Sequence, residues 1–250
     1  MGARLVIHSF QLLIRNFADA LKVSVFPIVV GVLLGIAAFS VSGITPEVIM
    51  MASVTGSLPP GGLLALLFVL IMMLFVFSWI AVGWHRFVLL EEYPGYVPAV
   101  TGRPIWPYVL RTMGLALLLL LVMAVLSGVL GMVLPVVQGA ALHLVSGLLA
   151  IVMTYIWLRV ALVLPAIAVE QPMRLREAWS ASEVLSGPIF GASAILVALN
   201  FVVGLAQTYY LPSGFLGQMI GISVTWVTLM VGTSILTTLY GHIVQNRPLP

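Results

Sequence analysis

Cysteine is absent from the 250 residues, which excludes disulfides, thiolate metal sites and a cysteine nucleophile. Charge is nearly absent too. Only 7% of the residues are charged against 62% apolar, and the mean hydropathy is +1.22, so the chain cannot clothe itself in the polar surface of a water-soluble domain. No His-Glu-x-x-His zinc motif, no Gly-x-Ser-x-Gly elbow and no phosphate-binding loop occurs. The four histidines and seven acids form no constellation for metal or acid–base chemistry, so the expectation is a protein that is not an enzyme and carries no cofactor.

What is present is long apolar sequence. A bilayer core of roughly 30 Å needs about 20 mainly apolar residues of helix, and several runs meet that length. Continuous runs such as Leu115 to Leu126 argue for helices, since a transmembrane barrel would alternate apolar and polar residues. The pattern predicts an all-α integral membrane protein, one domain over 1–250, with six spans at about 23–42, 63–84, 112–134, 140–162, 188–205 and 218–243. The N-terminus lacks a small-residue cleavage site, and Arg15, Asp19 and Lys22 interrupt it, so it does not read as a cleaved signal.

Ahead of the first span, residues 4–22 carry two stripes at helical spacing. Val6, Phe10, Leu13, Ile14, Phe17 and Leu21 make the apolar one, and Arg4, His8, Gln11, Arg15, Asp19 and Lys22 the polar one. That is an amphipathic interfacial helix, with Arg4, Arg15 and Lys22 suited to anionic lipid headgroups. A turn is expected at Pro135 to Gly139, and a short helix from Pro172 that stops at Gly187-Pro188. If six spans alternate, all ten basic residues fall on one side and the three opposite loops hold only Glu47. The positive-inside rule then places both termini in the cytoplasm, in a bacterial inner membrane, and the positive charge reads as a topology signal, with no nucleic-acid partner.

Trp84-His85-Arg86, Trp157-Leu158-Arg159 and Tyr240-Gly241-His242 close the second, fourth and sixth spans, which suggests three helical hairpins, each fed by an inner segment. Two stretches also carry a family resemblance. Ser9-Phe10-Gln11-Leu12-Leu13-Ile14-Arg15-Asn16-Phe17 is one; residues 158–170, followed by Ala178-Trp179-Ser180 and the Gly-Pro at 187–188, are the other. They resemble a bacterial family of six-helix membrane domains, of the YciC type and as fused to some glycerophosphodiester phosphodiesterases. The resemblance implies a six-helix membrane fold and, by analogy, a lipid setting; in the fused enzymes catalysis belongs to a separate soluble domain. The proline-rich inner loop departs from that family.

Two sets of residues are candidates for function. Ser193, Asn200, Gly204 and Gln207 share a face of the fifth span, and Gly221, Thr225, Thr228 and Gly232 one of the sixth; Ser193, Asn200, Gln207, Thr225 and Thr228 are either a polar path or helix packing. His143, Ser146, Gly147, Ala150 and Thr154 line one side of the fourth. The loop from Glu91 to Arg111 interleaves Tyr93, Tyr96, Trp106 and Tyr108 with prolines at 94, 98, 104 and 107 and with Arg103 and Arg111. Prolines at that spacing forbid regular helix through its middle. Tyr93, Arg103, Trp106, Tyr108 and Arg111 are read as an aromatic and basic belt at the headgroups, or as a docking surface for another membrane complex. Two functions follow: a lipid-associated or accessory scaffold protein, or a facilitator for a small neutral or lipid-like solute.

Overall fold

The computed structural model describes residues 1–58, 60–131, 140–212 and 214–248. Ten α-helices and no strand are found among them: α1 (Gly2–Arg15), α2 (Phe17–Ser42), α3 (Pro46–Thr55), α4 (Gly62–Leu90), α5 (Ile105–Gly131), α6 (Ala140–Val160), α7 (Val163–Ala168), α8 (Leu175–Ala181), α9 (Ser186–Tyr210) and α10 (Phe215–Ile243). Six helical stretches are long and apolar enough to cross a membrane: α2, α4, α5, α6 running on through α7, α9 with α8 ahead of it, and α10. The chain is a multi-pass, all-α membrane protein. The turn expected at Pro135 to Gly139 lies outside the described residues.

The boundaries differ from the expected ones where proline was read as a stop. α5 begins at Ile105, with Pro107 in its first turn, so the inner loop ends at Pro104. The helix expected to stop at Gly187-Pro188 instead ends at Ala181, and a 3-10 turn, Ser182–Leu185, leads into α9 with Pro188 in its first turn. The first N–H groups of a helix have no intrahelical acceptor, so proline there removes no bond. α3 was not expected as a helix. Thr45 caps it by accepting from the Val48 N–H, Pro46 opens it, and Gly56 closes it at φ 68°.

The helix expected over 4–22 divides at Asn16, whose amide Nδ2 donates to the Leu12 carbonyl while its backbone N–H donates to the same oxygen. Phe17 and Leu21 therefore begin α2. In α1 the buried stripe is Leu5, Val6, Ser9 and Leu13, while Ile14 is 70% exposed. That stripe packs between α9 and α10, and Arg4, Gln11 and Arg15 point outward.

The three out-and-back pairs exist in chain order, yet only α2 and α4 pack along their length. Gly31 and Gly35 serve that crossing: a Cβ on Gly31 would come within 3.1 Å of Val76, and one on Gly35 within 3.8 Å of Met72. α5 rests on α4 and α7, α6 on α9, and α10 on α1 and α4. α7 is buried throughout, wedged among α4, α5 and α10. The core sits at the end of the bundle that carries both termini; toward the other end α5 beyond Leu117, α9 beyond Ala198 and the first half of α10 turn most of their side chains outward.

Candidate functional site: a groove between α9 and α10

α9 and α10 are neighbours in sequence and do not pack on one another. α1 crosses between them at the termini end, where the Ser9 hydroxyl, which donates to the Leu5 carbonyl, lies 3.3 Å from the Thr238 hydroxyl, and a Cβ on Gly2 would strike the α9 backbone at Pro188 and Ala192. Beyond α1 the two helices stand apart around a cavity of about 690 Å³. Phe10 of α1, Thr154 of α6 and Val231 of α10 close its inner limit, and Tyr210 lies at its far end.

Of the five side chains expected on a polar path, the groove brings together Asn200, Gln207 and Thr228. Ser193 is buried below it and donates to the Ile189 carbonyl; Thr225 donates to the Gly221 carbonyl and faces away from the groove. The groove side of α10 follows Ile220, Ser223, Val224, Val227 and Val231, and Thr225 lies off that stripe. Asn200 and Thr228 sit near the middle of their helices, both exposed. One Asn200 N–H is used by the Leu196 carbonyl, and the described residues provide its Oδ1, the Thr228 hydroxyl and the Gln207 amide with no partner. Thr154 and Phe10 complete the site from elements whose approach no sequence spacing reveals.

The remaining candidates gather at the termini end. Tyr93 and Trp106 are exposed, and so are Arg4 and Arg15. Lys22 pairs with Asp19 at 2.8 Å, and Arg103 with Glu92 at 2.5 Å. Arg111 is partly exposed. Tyr108 is a correction: it is 5% exposed, and its hydroxyl lies 3.2 Å from His85 Nε2, so it is unavailable to a headgroup. Thr237 donates its one hydroxyl proton to the Thr233 carbonyl and must accept from His85 Nδ1 at 2.8 Å; His85 then accepts from Tyr108 at Nε2. This joint ties α4, α5 and α10.

Arginine fastens the same end. Arg86 grips both oxygens of Glu92 at 2.7 and 3.0 Å and reaches Glu170 at 2.6 Å and the Ala168 carbonyl at 2.9 Å. The Arg86 hydrogen bond is the main influence on the Glu92 carboxyl and holds it below the usual carboxylate range, partial burial opposing and Arg103 assisting. Arg159, 5% exposed, donates to the Ser182 hydroxyl, the Tyr155 hydroxyl and the Trp179 carbonyl, and lies 3.8 Å from the Trp179 ring centre. Among the described residues no three His, Asp or Glu side chains converge as a metal-holding group. The chain matches no protein-family model, no curated protein and no solved structure.

Proposed function

We propose that this chain is a non-enzymatic protein of a bacterial cytoplasmic membrane, with both termini inside, that holds a lipid in the groove between α9 and α10. The observation that carries this reading is the combination of an open, apolar-walled cavity of about 690 Å³ with an unpartnered Thr228 hydroxyl and Asn200 Oδ1 near mid-helix. An open groove at that depth is filled by hydrocarbon, because its apolar walls hold water poorly and a void forfeits dispersion contacts. Plain hydrocarbon leaves the Asn200 Oδ1, the Gln207 amide and the Thr228 hydroxyl without hydrogen bonds, which is costly in a medium without water. An occupant with polar groups along an apolar body meets both demands. The volume also falls in the range of about 300–1,000 Å³ typical of small-molecule sites.

The gathering of basic residues at the termini end supports the orientation through the positive-inside rule. The resemblance of residues 9–17 and 158–170 to membrane domains fused to glycerophosphodiester phosphodiesterases supports a lipid setting. Exposed Tyr93 and Trp106 supply a surface by which such a protein would attach to another membrane complex. A second reading, a facilitator for a lipid-like solute, is favoured by one feature: Gln207 lies seven residues, or about 10 Å of helix, beyond Asn200 toward the far end, so polar groups recur along the groove.

Mild native purification followed by lipid mass spectrometry tests the proposal. The wild type should carry a lipid that Thr228→Trp, which fills the groove, loses while remaining folded. Equal lipid content in both proteins would refute it. Movement of the bound lipid between leaflets of reconstituted vesicles, abolished by the same variant, would select the facilitator.

A further inference from the structure

A second cavity, of about 360 Å³, lies at the termini end, on the other side of α1 from the groove, among α1, the end of α4 and the end of α10. Its character differs. Here the walls include His8, Asn16, Glu91, Tyr93, His242 and Arg247.

Three features set this cavity apart. A carboxylate and a guanidinium line it, yet among the described residues neither Glu91 nor Arg247 forms an ion pair. Arg247 spends donors on the Val88 and Leu89 carbonyls at 2.9 and 2.8 Å, which fixes its charge at the cavity wall without neutralising it by an acid. Glu91 closes α4 in the left-handed region, at φ 58°, a position that favours glycine. A glutamate there sets backbone strain against whatever its carboxylate contributes. Finally, the His8 ring lines the cavity with neither nitrogen hydrogen-bonded among the described residues; Nδ1 is buried, so Nε2 is the nitrogen a ligand can meet. Burial, and secondarily Arg15, lower the His8 pKa, so at neutral pH the ring is an uncharged group waiting for a polar partner.

We propose that this cavity is a binding site for a zwitterionic amino-phosphate headgroup of the phosphoethanolamine type. The phosphate lies toward Arg247, His8 and Asn16, whose groups donate to phosphate oxygens. The ammonium lies toward Glu91 and the Tyr93 ring, since a carboxylate and an aromatic face both favour a cation. An anionic headgroup without the amine would leave Glu91 repelling it, and an isolated amine would leave Arg247 unanswered. The site is separate from the groove, so Thr228→Trp leaves it intact, and the two stand or fall independently.

The test uses the full chain in nanodiscs containing equal amounts of phosphatidylethanolamine and phosphatidylglycerol, with retained lipid counted by native mass spectrometry. The wild type should retain phosphatidylethanolamine preferentially. Glu91→Gly removes the carboxylate while suiting the left-handed backbone, so it should keep or raise the melting temperature and lower that preference about tenfold, the factor of one charge-assisted hydrogen bond. Displacement of the lipid by free O-phosphoethanolamine would assign the headgroup chemistry to a soluble ligand, and resistance to displacement would assign it to the membrane lipid; both agree with the site. Equal retention of the two lipids by the wild type, or an unchanged preference in Glu91→Gly, would overturn it.

Discussion

Three arginines hold the termini end together in one way, each giving guanidinium hydrogens to backbone carbonyls near a helix end: Arg86 to Ala168, Arg159 to Trp179, Arg247 to Val88 and Leu89. Carbonyls at a helix C-terminus lack intrahelical donors and carry partial negative charge, so a cation both satisfies and neutralises them. Arg159 is the one of the three that is buried without a carboxylate partner: its planar fork serves three neutral acceptors and stacks on Trp179. Lysine cannot reproduce that geometry, so Arg159→Lys should cost about 2–3 kcal/mol. Thermal unfolding in mild detergent measures this, and an unchanged melting temperature would contradict it. Glu92 gives a pH dependence. Its folded pKa is depressed, so the stability it contributes is present above its unfolded value of about 4.3 and is lost as pH falls through the lower folded value. Glu92→Gln should therefore lower the melting temperature at pH 7 and flatten its decline below about pH 4.3; a variant tracking the wild type across that window would refute the assignment.

At the scale of elements, the six apolar runs were legible in the sequence because hydrocarbon demands them in one continuous stretch each. Their ends were less so. Pro107 and Pro188 read as helix stops, yet each occupies a first turn where its missing N–H costs nothing. α3 had a readable start in Thr45-Pro46-Glu47, but its ten residues are too few to register as a span. The groove was half legible. Asn200, Gln207 and Thr228 stood out as polar residues in apolar helices, whereas nothing in the spacing of α9 and α10 told that α1 would hold them apart. The apolar stripe of α1 could have faced lipid as well as protein; its burial between α9 and α10 is a tertiary fact. Deleting residues 1–15 should let the two helices close toward the interaxial distance of about 8–10 Å usual for packed helices. Spin labels on cysteines placed at 200 and 228, in a chain free of other cysteines, report the change. A separation that stays constant would show that α1 is no spacer.

The whole molecule is asymmetric along its long axis. One end carries the core, the His85 joint, the arginine clamps and the polar cavity; the other is open, its helices turned toward lipid. Apolar burial and charge together explain the tight end, since interface water and headgroups can solvate Arg4, Arg15 and Arg103 while Arg86 and Arg159 reach inward from the same level. The open end has no such fastenings among the described residues, so its helices meet lipid in place of one another, and an apolar groove with a few polar groups along it is the consequence. The most direct measurement is photo-crosslinking in native membranes from a photoreactive label on a single cysteine at 200, 228 or 193, followed by mass spectrometry of the labelled peptides. Lipid adducts at 200 and 228 with none at 193 is the predicted result; protein adducts alone at 200 and 228 would contradict the account.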